Sequence, residues 1–145
     1  MVELSSSSFE DGQEIPRRHG KRGQNVSPEL SWSDAPAETQ SFALAMVDTH
    51  PDAAGYLHWL VADIDPETFE LPEGAAQGSM PGTAVQSTPY AGPNPPSGIH
   101  DYEVTLYALA TPHLELPSGA SLEEFLDAAE SYALDAATLV GSFPA

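Results

Sequence analysis

Apolar and polar positions change period several times along this chain, and each change marks an element. Ser41 to Asp48 (SFALAMVD) is an apolar run of strand length that ends on an acid. Tyr56 to Ile64 alternates, with Tyr56, His58, Leu60, Ala62 and Ile64 on one face and Leu57, Trp59 and Val61 on the other. Both sets are largely apolar, so this strand is expected deep in a sheet and covered on both sides. His100 to Ala110 repeats the period of two, with His100, Tyr102, Val104, Leu106 and Ala108 aligned. The period then lengthens. Ser121-Leu-Glu-Glu124 reads as a capping box, and Leu122, Phe125, Leu126, Ala129 and Ala133 follow at helical spacing. Thr138 to Phe143 predicts a returning strand, and the remaining segments read as long loops rich in Pro and Gly. No internal repeat or long linker divides the chain, so residues 1–145 form one domain. The expected class is mostly β, a β-sandwich with one C-terminal helix.

Charge narrows the functions this domain can have. Twenty-two acidic residues face four basic ones, a net charge of −18, and all four bases lie between Arg17 and Arg22. From Gly23 to Ala145 there is no Lys or Arg to neutralise a run of phosphates, which excludes a nucleic-acid surface of the usual kind. An anionic membrane is disfavoured for the same reason. Self-repulsion on this scale destabilises a compact state at low salt. In molar salt the Debye length falls to about 3 Å and the repulsion fades, so the composition reads as adaptation to a salty cytoplasm, as in a halophilic archaeon. The longest clean apolar stretch, Phe42 to Val47, is far short of a bilayer span, and Met1 to Ser8 lacks the pattern of a secretory signal. Without cysteine there is no disulfide and no thiolate nucleophile or ligand. The expected location is the cytoplasm.

The chemistry concentrates around the histidines. His58 alone reads as an ordinary core residue. His100 differs, because it follows Tyr90-Ala-Gly-Pro-Asn-Pro-Pro-Ser-Gly98-Ile, a loop whose prolines stiffen it while Gly92, Asn94 and Gly98 keep their backbone N–H groups. Backbone donors held by a turn beside His and Tyr make a site for a phosphate or carboxylate. The same residues would equally serve as a tight connection into a strand.

Gly92-Pro-Asn-Pro-Pro-Ser-Gly-Ile-His100-Asp-Tyr102 resembles the second signature of the phosphatidylethanolamine-binding protein family, approximately Gly-Pro-Cys-Pro-Pro-x-Gly-x-His-Arg-Tyr. Asp48-Thr-His-Pro-Asp-Ala-Ala-Gly-Tyr-Leu-His58-Trp59 is similar in outline to the first, Asp-Pro-Asp-Ala-Pro followed by a spacer and His-Trp. Gly23-Gln-Asn-Val-Ser-Pro-Glu-Leu-Ser-Trp32 looks like the family's opening and Leu139-Val-Gly-Ser-Phe143 like its close, so the resemblance covers nearly the whole chain. It is nearest to the short bacterial and archaeal branch described as Raf-kinase-inhibitor-like. The resemblance implies that family's β-sandwich and one anion pocket lined by Asp48, His58, Gly92, Asn94, His100 and Tyr102.

Three departures stand out. The second acid of the first signature is displaced, with His50 in its place; Cys has become Asn94; and Arg has become Asp101. His50 and Asp101 thus exchange the signs the family carries there, and a reversed pair bracing the pocket from behind is expected.

The leading expectation is a non-enzymatic module that binds a small anionic ligand without cofactor or metal, through which a protein partner could be modulated. Homodimer formation is compatible with the resemblance. The alternative is a hydrolase, metal-assisted or acid–base, using Asp48, His50, His58 and His100. Against it, the chain holds no HExxH spacing and no recognisable nucleophile elbow.

Overall fold

The computed structural model describes residues 1–78 and 80–145. In chain order the elements are β1 (Glu3–Ser5), β2 (Leu30–Ser33), β3 (Ser41–Asp48), β4 (Leu57–Ile64), β5 (Glu70–Leu71), β6 (Val85–Thr88), β7 (Ile99–Leu109), α1 (Leu122–Tyr132) and β8 (Ala133–Pro144). The strands form a five-stranded sheet, β6-β4-β3-β7-β8, and a three-stranded sheet, β1-β2-β5. All neighbours are antiparallel. The mostly β class with one helix is therefore what the sequence pattern predicts.

The position of β3 explains its unbroken apolar run. It lies in the middle of the larger sheet, and its alternating residues enter two different cores. Phe42, Leu44 and Met46 meet Val104 and Leu106 of β7 and Leu30 and Trp32 of β2 between the sheets. Ala43 and Ala45 lie on the opposite face with Leu60 and Ala62, under Phe125 and Ala129 of α1. Small residues on that face let the helix approach closely, and full burial of Phe125 contributes about 1.5–3 kcal/mol. The capping box forms as read: Ser121 Oγ accepts from the Glu124 N–H at 3.1 Å, and Glu124 Oε1 accepts from the Ser121 N–H at 3.0 Å.

Three expectations are corrected. The strict alternation read over 56–64 is broken by two register shifts against β3. Met46 pairs with Trp59 and Val47 with Leu57, so two residues of β4 oppose one step of β3 and His58 turns to the same side as Trp59. Near the other end Asp63 takes a left-handed φ of 57°, and Ile64 joins Trp59 and Val61 in the inter-sheet core instead of following Leu60 and Ala62. The helix stops at Tyr132, and the final strand starts at Ala133 rather than Thr138. The eleven residues of β7 supply a template along which 133–144 pairs almost completely, and this overrides the weak strand preference of its alanines. Finally, the supposed loops hold β1, β2, β5 and β6, which are too short to show a period.

Candidate functional site

At one end of the larger sheet the register delivers the polar residues to one place. Asp48, the last residue of β3, lies opposite Tyr102 of β7, and His100 sits two residues before Tyr102 on the same face. His58, turned inward by the bulge, meets Tyr102 edge to face with ring centroids 5.1 Å apart. The Pro-rich loop closes the far wall. It is joined to β4 twice, because the Ala91 N–H donates to the His58 carbonyl at 2.9 Å and His58 Nδ1–H donates to the Ala91 carbonyl at 2.6 Å. The cavity between these elements has a volume of about 320 Å³ and is lined by Asp48, His58, Gly92, Asn94, His100 and Tyr102, with Lys21 and Tyr56 at its walls.

Hydrogen bonding fixes which atoms are left for a ligand. His100 Nδ1–H donates to Asp48 Oδ2 at 2.7 Å, while Asp48 Oδ1 accepts from the His50 N–H at 2.9 Å. A carboxylate can only accept, so the His100 proton on this side is assigned and Nε2 is the free atom. His100 Nε2 and the Tyr102 hydroxyl are both buried without a hydrogen-bond partner. Such orphans cost about 1–3 kcal/mol each when nothing satisfies them, which is tolerated where a ligand or water does. His58 has its Nδ1 committed to Ala91, so its Nε2 is the ring nitrogen left free for a ligand.

The electrostatics follow from burial and neighbours. Burial pushes the His58 imidazole below its ordinary value; the Ala91 carbonyl and Asp48 work the other way, and Lys21 adds to the lowering. His58 is therefore neutral at pH 7. Burial, reinforced by the Asp48 charge, pushes the Tyr102 hydroxyl far above its ordinary range, so it keeps its proton and can donate.

Not every expected role survives. Gly92 lines the cavity, but its N–H donates to Asn25 Oδ1 at 2.7 Å and is unavailable to an anion. Its lack of a side chain is what matters, since a Cβ would lie 2.1 Å from the His19 carbonyl oxygen. Gly98 is exposed and lies outside the cavity wall. The reversed His50–Asp101 pair does not form. His50 stacks flat on His100, with centroids 3.8 Å apart and planes 6° from parallel, and its Nδ1 accepts from the Asp52 N–H at 3.1 Å. Asp101 is exposed and serves through its carbonyl, which accepts from the N–H and the hydroxyl of Thr49. Strand alternation sent the Asp101 side chain outward while the turn after β3 folded His50 back over His100. His50 thus braces the site through His100 and not through Asp101. Among the described residues no cluster of three or more His, Asp or Glu side chains is arranged to hold a metal ion.

Lys21 and Tyr56 escaped the sequence reading. Tyr56 carries no signal beyond its place beside β4. Lys21 had one, because all the bases of a strongly acidic chain fall within six residues.

Comparison with known proteins agrees with the fold. Residues 5–144 match the family model described as phosphatidylethanolamine-binding protein. A UPF0098 protein of Methanothermobacter thermautotrophicus is 38% identical over 149 residues, covering 98% of each chain. A Mycobacterium tuberculosis relative whose name marks it as a candidate lipoprotein, LppC, is 38% identical over 147 residues, covering 97% of this chain and 71% of its own. The crystal structure of Escherichia coli YbcL, described as a new member of the mammalian family, superposes with a TM-score of 0.90 at 25% identity, covering 99% of this chain and 98% of that one.

Proposed function

On the premise that the chain belongs to the phosphatidylethanolamine-binding protein family, we propose that it is a non-enzymatic module binding a phosphate- or carboxylate-bearing ligand in the Asp48–His58–His100–Tyr102 pocket. The observation that carries this reading is the pair of buried, unpartnered polar atoms at the cavity wall, His100 Nε2 and the Tyr102 hydroxyl. Each lacks a hydrogen-bond partner, and an oxyanion accepts from both a protonated imidazole and a phenol. The cavity volume falls at the lower end of the range for small-molecule sites, which suits a compact head group.

The anion occupies the pocket with one oxygen toward Tyr102 and others toward the histidine Nε2 atoms, which are protonated when it binds. Asp48 lines the cavity beside His100 and orients its ring through the Nδ1–H hydrogen bond. The hydroxyls lining the cavity are the phenols of Tyr56 and Tyr102, and burial keeps Tyr102 protonated and a poor nucleophile, so the arrangement is read as one that binds without breaking a bond. A protein partner would sense the occupied pocket at its mouth, where Tyr56 is exposed. Among the described residues no helix is long and apolar enough to cross a membrane. We place the protein in the cytoplasm, on the reading of its acidic composition.

The test is calorimetric titration of inorganic phosphate into the protein and into the double variant His58→Ala/His100→Ala. Loss of binding with the thermal unfolding midpoint nearly retained is expected. A variant that unfolds, while its folded fraction binds phosphate as before, would return both histidines to a packing role.

A further inference from the structure

The four bases of this chain occupy one six-residue stretch, and among the described residues three of them have no acidic partner. Arg18 pairs with Glu73 at 2.9 Å. Among the described residues no carboxylate lies within ion-pair distance of Arg17, Lys21 or Arg22, although the chain holds 22 acids. All three are exposed.

The loop that carries them is fastened rather than loose. His19 is fully buried and its Nδ1–H donates to the Val26 carbonyl at 2.8 Å. Tyr90 donates its hydroxyl proton to the His19 carbonyl, also at 2.8 Å, and the Lys21 N–H donates to the Pro93 carbonyl at 3.0 Å. Gly20 lies against the Phe143 ring so closely that a Cβ there would sit 2.5 Å from its Cζ. The basic loop is thus held against the Pro-rich loop on one side and the end of β8 on the other.

That packing leaves a second cavity, of about 370 Å³, walled by Arg17, Arg22, Pro93 and Phe143. Asn94 and Pro95 line both this cavity and the histidine pocket, so a single ridge separates them. Lys21 lines the histidine pocket, and the two arginines line its neighbour. On a surface whose net field repels anions, the two adjoining cavities share the only basic cluster.

We propose that the Arg17–Arg22 cleft is a second anion subsite, and that the ligand is a small organic molecule with two anionic groups joined across the Asn94–Pro95 ridge. This rests on the anion-pocket reading above. One group enters the histidine pocket, and the other meets the guanidinium groups, whose planar forks suit phosphate or carboxylate. The walls of Pro93, Pro95 and Phe143 favour an apolar linker between them.

The test compares ethyl phosphate with hexamethylene bisphosphate by calorimetry, in about 0.5 M KCl so that the long-range field is screened. The bisphosphate is expected to bind the wild-type protein at least about tenfold more tightly, and the ratio should fall below about threefold in R17Q/R22Q. In NMR spectra of the wild-type protein, the Arg17 and Arg22 side-chain resonances should shift with the bisphosphate and not with ethyl phosphate. A bisphosphate that binds no more tightly than ethyl phosphate, or a preference that survives in R17Q/R22Q, overturns the second subsite and leaves the histidine pocket standing. Ethyl phosphate binding that ignores the double histidine variant overturns the pocket itself and the two-site ligand with it.

Discussion

Sulfate affinity should fall as pH rises, and the ring nitrogens facing the cavity set how steeply. His58 gives its Nδ1 proton to the Ala91 carbonyl and His100 gives its own to Asp48, so each ring can gain a proton only at Nε2. A neutral Nε2 points a lone pair at the cavity and repels an oxyanion; a protonated one offers both an N–H and a charge. Two sites therefore bound the coupling. Each linked proton is worth about tenfold in affinity per pH unit, or 1.4 kcal/mol, so the fall lies between about tenfold and a hundredfold per unit. Burial holds His58 below the ordinary imidazole value, so at neutral pH this ring takes up its proton with the anion. Sulfate is the right probe because it stays a dianion throughout, leaving any slope to the protein. Titration calorimetry between about pH 6 and 8.5, in buffers of different ionisation enthalpy, reads affinity and proton uptake together. The variant His58→Gln should cut the slope to about tenfold per unit or less. The free protein shows the opposite face of the same linkage. With His58 lowered in the folded state, the unfolded chain binds more protons, and stability falls as pH drops below about 6.5 toward the folded value. A sulfate affinity that is flat with pH, or binding with no proton uptake, refutes this account of the pocket.

Two further outcomes are expected. Gly92→Ala places a Cβ 2.1 Å from the His19 carbonyl oxygen and 2.9 Å from Asn25 Oδ1, so the basic and Pro-rich loops must separate; a loss of about 1–3 kcal/mol in denaturant unfolding, with weaker phosphate binding, checks it. With a net charge of −18, the thermal midpoint should rise between dilute buffer and molar KCl, and a midpoint that is unchanged or lower contradicts the reading of the acidic surface as a salt adaptation.

The sequence by itself determined the elements long enough to show a period. β3, β4, β7 and α1 each bury a face or stripe, and burial imposes a repeat that is legible without any partner. It also brought His58, His100 and Tyr102 to notice, because a stiff Pro-rich loop beside donors is a local feature and the family resemblance fixes their spacing. What it could not determine depends on partners far along the chain. β8 begins at Ala133 only because β7 is long enough to pair with it, and β1, β2, β5 and β6 are too short to carry a period of their own. His58 reaches the cavity through a bulge that exists only against β3, where a one-residue slip in register turns a side chain to the other face. The role of His50 was misassigned for a related reason: sign exchange in a motif suggests a pair, but strand alternation aimed Asp101 at solvent while the turn laid His50 on His100. Lys21 and the two arginines were conspicuous as charges, yet their place beside the pocket rests on contacts across some seventy residues, from Tyr90 to His19 and from Pro93 to Lys21. Periodicity records what a segment buries; only the folded chain decides which distant segment it is buried against.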